Sequence, residues 1–238
     1  VSADGTFAVV TDASGFAAKV TVYDSNQREI YAWMSADDLI QSAALLSSGG
    51  HMAIATLNAQ EGMLVSQVMI FDLTQEEPVA TVDYPGEMIV QVDYMENGSI
   101  AVVSDQGAYV LSGSGRQLGE YRYGRLQLAY FDTGSQGMAV VTQSQIGRQE
   151  YSMVTITDSG RVSSLQQLTH GVQSVKTERG SIYLASADAI YAYAYGQSGA
   201  AASYPVSDLE DFAPLAGNLY YQTPDTIEEI RASSSQEE

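Results

Sequence analysis

Six degenerate repeats, each made of short apolar runs between turn residues, predict an all-β fold, a β-propeller of about six four-stranded antiparallel blades. A glycine turn recurs from Gly5 to Gly217 in five intervals, a mean spacing of about 42 residues. An apolar run of similar composition follows each turn, and a third run follows later in each repeat. Few stretches show a period of 3.6 residues, so the sequence does not favour helical repeats.

The clearest repeat reads IQSAALLSS, the turn Gly49-Gly50, HMAIATL, a loop through Gly62, SQVMIFD and PVATVDY. The corresponding turns of the six repeats are Asp4-Gly5, Gly49-Gly50, Asn97-Gly98, Gly134 to Gly137, Arg179-Gly180 and Gly217-Asn218. The second runs are TFAVVT, HMAIAT, SIAVVS, MAVVTQ, SIYLAS and NLYYQT, and the third runs are KVTVYD, QVMIFD, GAYVLS, SMVTITD, AIYAYAY and TIEEIR. Four such runs per repeat predict one up-and-down sheet per repeat.

Sheets of this length cannot cover both of their own faces, so neighbouring sheets must stack on each other. Closing the stack into a circle leaves only short, protected edges, which favours a propeller. We expect a single domain over 1–231, with a polar tail at 232–238. Its repeat units are 1–38, 39–87, 88–125, 126–171, 172–209 and 210–231. Six blades follow if the incomplete first and last repeats complement each other, and seven or eight if residues upstream are missing.

The composition excludes several classes of function. Among 238 residues, 10 Lys and Arg oppose 29 Asp and Glu, a net charge of −19. This charge repels phosphate backbones, so we expect no nucleic-acid partner. The chain has no cysteine, which removes disulfides, thiolate metal sites and cysteine nucleophiles. No apolar run approaches the roughly 20 residues that a membrane-spanning helix needs.

The pattern SADGTFAVVTD…KVTVYDSNQREIYAW resembles the repeats of WD40-like and quinoprotein-like propellers. More narrowly, the chain resembles the outer domain of a membrane-anchored propeller family of unknown function in Gram-positive bacteria (Firmicutes). In that family a transmembrane helix precedes the propeller. The resemblance therefore implies an extracytoplasmic domain at the cell surface, with an anchor upstream and no membrane contact of its own.

This sequence departs from both wider families. WD40 repeats carry Gly-His and Trp-Asp pairs, whereas the only histidines here are His51 and His170 and the only tryptophan is Trp33. Quinoprotein enzymes stack their quinone on tryptophan, so a single tryptophan argues against that activity, and we expect no cofactor.

Apparent catalytic motifs have simpler interpretations. FDTGS, with Asp132, matches the Asp-Thr-Gly motif of aspartic proteases, and Asp158 is a candidate for the second carboxylate. Both aspartates fall at turns of one repeat, where Asp accepts hydrogen bonds from backbone N–H groups two residues on. The sequence also lacks GxSxG, P-loop and HExxH motifs, so we expect no catalytic residue.

Aspartates that end third runs recur at one repeat position, namely Asp24, Asp72 and Asp158, and we expect them to form Asx-turns. The acidic pairs Asp37-Asp38 and Glu210-Asp211 lack calcium-loop spacing, and solvated loop charge is the preferred interpretation. His51 and His170 are isolated, so we expect ordinary loop histidines and no metal site.

Two tyrosine-rich segments have interpretations that stay open. Tyr191, Tyr193 and Tyr195 alternate with alanine on one strand face, which favours packing between blades over an aromatic platform for a glycan or peptide. A basic aromatic segment contains Tyr130 and, as the predicted partner-binding residues, Arg116, Tyr121, Arg122, Tyr123 and Arg125. Three of the 10 basic residues lie in this segment, so it is the predicted surface for a protein or glycan partner.

These observations predict a non-enzymatic, extracytoplasmic binding or scaffolding propeller whose loops carry its specificity. The alternative is a carbohydrate-active or other hydrolytic propeller. Such an enzyme requires carboxylates from several blades at one mouth of the channel, with a carboxyl pKa raised by burial. A third alternative is an intracellular assembly platform of the WD40 type.

Overall fold

The computed structural model of the chain describes residues 1–60, 62–144 and 150–231. All regular elements in this part are β-strands, arranged in six antiparallel sheets of three or four strands. This confirms the predicted all-β fold class. The chain divides into two compact units, one comprising Val1–Arg122 with Asp158–Arg161, the other comprising Tyr123–Thr157 and the residues from Val162 onward.

The first unit contains three sheets, and their strands follow each other in chain order. The first sheet consists of β1 (Phe7–Ala13), β2 (Phe16–Tyr23) and β3 (Glu29–Ser35). The second consists of β4 (Leu39–Leu45), β5 (His51–Gln60), β6 (Met63–Asp72) and β7 (Ala80–Pro85). The third consists of β8 (Ile89–Tyr94), β9 (Ile100–Ser104), β10 (Gly107–Leu111) and β11 (Gln117–Arg122).

The second unit repeats this arrangement. The fourth sheet consists of β12 (Leu126–Gly134), β13 (Gly137–Ser144), β14 (Tyr151–Thr157) and β15 (Gln166–Gln167). The fifth consists of β16 (Ser174–Glu178), β17 (Ser181–Ala185), β18 (Ala189–Ala194) and β19 (Ala202–Pro205). The sixth consists of β20 (Asp211–Leu215), β21 (Asn218–Gln222) and β22 (Ile227–Arg231).

The predicted second and third runs of every repeat are strands, and they pair with each other in register. Each of the six sheets lies within one of the predicted repeat units. The predicted polar tail, 232–238, lies outside the described residues.

Alternation of side chains gives each sheet two faces, and the buried faces form the cores of the two units. In the first unit, Val20 and Val22 of β2 pack against Met52, Ile54 and Phe71 of the second sheet. The other face of the second sheet packs on the third sheet, in a core whose buried members include Ala53, Ala55, Val68, Ile70, Ile100, Val102 and Tyr109.

In the second unit, the alternating tyrosines take part in packing, as the sequence favoured. Tyr193 is buried among Ala139, Val141, Ile182 and other residues of the fourth and fifth sheets, and Tyr191 and Tyr195 pack against the same cluster. The Tyr195 hydroxyl donates a hydrogen bond to the Gly137 carbonyl oxygen at 2.9 Å. A further core joins the fifth and sixth sheets through Tyr183, Ile190, Phe212 and Leu219.

Candidate functional site

The two units divide the predicted partner-binding segment. Arg116, Tyr121 and Arg122 belong to the first unit, whereas Tyr123 and Arg125 begin the second. The Arg116 and Arg125 side chains are exposed, and Tyr121 is half-buried. Tyr123 is buried, so its ring is not available to a partner and belongs to the interior of the protein.

Arg122 is held by other side chains of the first unit. Its Nε donates to Glu120 Oε1 at 2.6 Å, and its Nη1 donates to Glu87 Oε1. The guanidinium carbon lies 5.3 Å from the centroid of the Tyr109 ring, within the range of a cation–π contact. Two carboxylates therefore offset the charge of Arg122, although its side chain is 53% exposed.

Glu87 is the centre of this network, and the sequence interpretation missed it. It lies between β7 and β8 and is buried. Its Oε2 accepts hydrogen bonds from Ser104 Oγ at 2.6 Å and from the Tyr109 hydroxyl at 2.8 Å. A buried carboxylate with three donors is satisfied, so this network fixes the connection between two sheets.

A sequence signal for Glu87 existed in the preceding repeat. Asp38 precedes β4 by one residue, as Glu87 precedes β8 by two, and the Asp38 carboxylate accepts from Ser35 Oγ and from Asn58 Nδ2, each at 2.8 Å. In both repeats, an acidic side chain near the start of the innermost strand stabilises the connection between two sheets by accepting hydrogen bonds.

The structure corrects the interpretation of Asp132. We expected it to bind a backbone N–H two residues on, but its Oδ2 accepts from the N–H and the hydroxyl of Thr177, at 2.6 and 2.8 Å. Asp132 lies on β12 and Thr177 on β16, so the carboxylate joins the innermost strands of the fourth and fifth sheets. Burial raises the pKa of Asp132, while the bonds from Thr177 oppose that shift.

Two of the strand-end aspartates form the predicted Asx-turns. Asp24 accepts from the backbone N–H of Asn26 at 2.9 Å, and Asp72 accepts from that of Thr74 at 2.9 Å. The backbone N–H of Arg28 lowers the pKa of Asp24, and the backbone N–H of Thr74 lowers that of Asp72. These bonds hold the carboxylates as acceptors in turns.

The histidines differ in their surroundings. His51 begins β5 opposite Asp72. His170 lies in a loop, where its ring stacks on Tyr191 at 3.7 Å and its Nε2 lies 2.9 Å from the Tyr193 hydroxyl. No group of three metal-ligating side chains comes together within the part of the chain that the structure describes.

One end of the first unit exposes many apolar side chains. We define the hairpin end as the end of its sheets at which β1 joins β2, β5 joins β6, and β4 and β8 begin. Most of the large apolar side chains that the first unit exposes lie there, with 40% to 63% of their surface accessible. They are Phe16, Met34, Leu39, Met63, Leu64, Met88 and Val90, while Val9 and Val10 are exposed in the middle of β1. Ile30 and Val79 are exposed at the opposite end, beside the turns that carry Asp24 and Asp72, and Val1 is exposed there beside the turn that joins β4 to β5.

A groove opens within the hairpin end, between the first two sheets. Its volume is about 420 Å³, and its lining residues are Val10, Thr11, Asp12, Ala17, Ala18, Leu39 and Ile40. Phe16 lies on the same face of its sheet as Val10. Val10 pairs with Val20, and every second residue of β2, including Phe16 and Val20, points to that face. The groove thus presents polar and apolar surface in about equal measure, and Asp12 is the charged side chain in its lining.

A second groove of the first unit runs along the innermost strands β4 and β8. It measures about 390 Å³, and its lining includes Gln41, Ser42, Gln91, Val92 and Asp93. Ser42 Oγ accepts from the Val92 N–H at 3.2 Å, which ties the two strands together. Amides and a hydroxyl dominate this wall, and Asp93 is its carboxylate.

The architecture defines a β-propeller of the WD40-like class, and solved propellers are similar to it. The WD40 domain of Neurospora crassa Pan2 superimposes with a TM-score of 0.55 and 8% identity, over 89% of this chain and 68% of that one. The Dos1 propeller gives 0.57 and 9%, over 90% of this chain. The chain spans only 62% of the length of the Dos1 structure.

The chain belongs to DUF5711, a family of unknown function whose model matches residues 1–231. A Bacteroides caccae protein of unknown function is also similar, with a TM-score of 0.46 and 11% identity over 94% of this chain and 89% of that one. No curated protein matches the chain. Membership in this family agrees with the resemblance to a propeller family of unknown function. Among the described residues there is no helix long and apolar enough to cross a membrane.

Proposed function

We propose that this chain is a non-catalytic binding or scaffolding propeller and that it binds its partner at the hairpin end. The observation that carries the proposal is the larger number of exposed apolar side chains there, seven against Val1, Ile30 and Val79 at the opposite end of the same unit, where Asx-turns also lie. Exposed apolar patches rimmed by polar groups mark interaction sites. The proposal moves the predicted partner surface away from Arg122, because two carboxylates already hold that side chain.

The proposed partner is a protein, with a glycan as the alternative that the sequence left open. Aliphatic walls favour protein side chains, since a glycan site needs exposed aromatic rings and convergent hydrogen-bonding groups. The net charge of −19 supports the absence of a nucleic-acid partner.

We place the domain outside the cytoplasm, at the surface of a Gram-positive cell, with a membrane anchor upstream of this chain. The support is the resemblance of the sequence to a membrane-anchored propeller family. An intracellular assembly platform is the competing location.

A non-catalytic role is supported by the surroundings of the carboxylates. A hydrolase needs several carboxylates directed at one bound substrate. The groove on β4 and β8 has Asp93 as its carboxylate, and Asp132 is engaged by Thr177. Turnover of a glycoside or peptide library by the purified chain, abolished by Asp93→Asn, would establish the hydrolase alternative instead.

Because this chain contains no cysteine, thiol labelling can test location and binding in cells, with the intact protein that lacks the added cysteine as the background. Single-cysteine variants Leu39→Cys and Val79→Cys of the intact protein are treated, on whole cells, with a maleimide that cannot cross membranes. We expect Val79→Cys to react at the rate of the purified chain, and Leu39→Cys to react several-fold more slowly in cells than when purified. Failure of Val79→Cys to react until the cells are lysed would refute the location, and equal rates at Leu39→Cys would refute binding at the hairpin end.

A further inference from the structure

The groove in the hairpin end has the chemistry of a site for a particular kind of segment. Val10, Ala17, Leu39 and Ile40 form apolar walls, and Asp12 is the charged side chain among its lining residues. An apolar anchor with a cation beside it satisfies both features, because the carboxylate can pair with the cation as the anchor enters the groove.

Further apolar side chains are exposed at the same end of these sheets. Phe16 lies at the tip of the hairpin that joins β1 to β2, and Met63 and Leu64 begin the third strand of the next sheet. The hairpin formed by β5 and β6 pairs as far as Gln60 and Met63, with ten residues in each strand. The hairpin of β9 and β10 has five residues in each strand, so the hairpin of the second sheet is longer. The end of this hairpin therefore adds exposed apolar surface beyond the groove itself.

The net charge of the chain distinguishes between the partners that could bind at the hairpin end. A second copy carries the same net charge of −19, so association of two copies brings like charges together. An anionic membrane surface is repelled for the same reason. A cationic segment is attracted, and its association is accelerated by the field of the whole chain.

We infer that the hairpin end of the first unit binds an amphipathic segment of another protein, with apolar residues on one face and Lys or Arg on the other. The inference rests on the proposed function and specifies its partner. The apolar face contacts Val10, Phe16 and Leu39, and a Lys or Arg at the border of that face pairs with Asp12, which lines the same groove. This is the mode in which amphipathic helices bind hydrophobic grooves.

The probe is a synthetic 18-residue peptide of leucine and lysine at helical spacing, and its matched control replaces every lysine with glutamate. Fluorescence anisotropy of the labelled peptides reports binding to the purified chain. We expect the lysine peptide to bind and the glutamate peptide to bind at least tenfold more weakly. Affinity for the lysine peptide should fall as salt is raised, because its charge pairs are exposed.

Variants locate the site. Phe16→Ser combined with Leu39→Gln should weaken the lysine peptide at least tenfold, and Asp12→Asn should weaken it several-fold. Ile30→Ser combined with Val79→Gln removes equally exposed apolar groups from the opposite end, and should leave the affinity unchanged. All variants change exposed side chains, so their thermal unfolding should match that of the parent chain.

Equal binding of both peptides, or equal loss of binding in the two double variants, would overturn the inference. A dimer that Phe16→Ser dissociates, or binding to vesicles that the same variant abolishes, would also overturn it in favour of another occupant. Protection of Leu39→Cys in cells without binding of the lysine peptide would refute only the partner class. If Leu39→Cys is not protected in cells and the lysine peptide does not bind, the proposed function itself is refuted.

Discussion

At the scale of single residues, local hydrogen bonds were predictable and distant ones were not. The Asx-turns at Asp24 and Asp72 need partners only two residues away, so the sequence pattern was sufficient. Asp132 binds Thr177, which lies 45 positions further on, and Glu87 binds Arg122, 35 positions further on. Such partners depend on which sheets are neighbours, and a local motif does not contain that information.

Gly119 marks a close approach of two backbones in the first unit. A Cβ atom at Gly119 would lie 2.1 Å from the Gly160 carbonyl oxygen. Gly119→Ala should therefore lower the free energy of unfolding by about 1–3 kcal/mol, since backbone must shift to admit the methyl group. Urea unfolding measures the change. Gly50→Ala is the control, because a Cβ there meets nothing within 4 Å, and equal stability of the two variants would contradict this packing.

The turn aspartates make stability depend on acid. The pKa values of Asp24 and Asp72 are lowered in the folded chain, so the unfolded chain takes up protons first as the pH falls. Their stabilising contribution is complete above the unfolded pKa of about 4 and is lost as the pH falls toward the folded values. Asp24→Asn combined with Asp72→Asn should flatten the fall in melting temperature between about pH 5 and pH 2. An unchanged slope would show that these bonds do not form.

At the scale of elements, hydrophobic alternation was enough to locate strands and sheets. The second and third strands of the inner repeats, such as β9 and β10, are apolar because sheets cover both of their faces, so these strands were the easiest to find. Strand length was less predictable. The sequence placed a loop after HMAIATL, whereas β5 continues to Gln60, because pairing with β6 extends through polar residues.

The connection between β7 and β8 depends on the Glu87 network. Arg122→Ala removes one of its donors, while Ser104 and Tyr109 remain bound to Glu87. Because Arg122 is half exposed, we expect a loss of about 1–2 kcal/mol in the free energy of unfolding. Arg116→Ala, at an exposed position of the same unit, should change it by less than about 0.5 kcal/mol. Chemical denaturation measures both variants. Equal losses in the free energy of unfolding would contradict the network.

The bond between β12 and β16 can be tested in the same way. Asp132→Ala leaves the N–H of Thr177 without its acceptor, and should reduce the free energy of unfolding by about 1–3 kcal/mol. Asp132→Asn keeps an acceptor oxygen and removes a carboxylate whose pKa burial raises, so its loss should be smaller. Calorimetry distinguishes the two variants. A larger loss in Asp132→Asn would mean that the ionised carboxylate itself is required.

At the scale of the whole molecule, the proposed function rests on two features, the net charge and the exposed apolar surface. The sequence shows the net charge, but it does not show which apolar side chains are exposed. The charge of −19 follows from composition. The hairpin end was not predicted, because Leu39 and Met88 look like core residues in a strand pattern. Their exposure becomes apparent only when the sheets are in place. The basic aromatic segment was chosen from composition alone, and its central arginine proves to be held by carboxylates.

Binding at the hairpin end is the central claim, and photocrosslinking in the native cell tests it most directly. A photoreactive phenylalanine analogue is placed at position 39 of the intact protein, and in a matched variant at position 79, which is similarly exposed at the opposite end. After irradiation we expect one discrete crosslinked species from position 39 and none from position 79. Crosslinks of equal yield from both positions, or none from position 39, would contradict the claim.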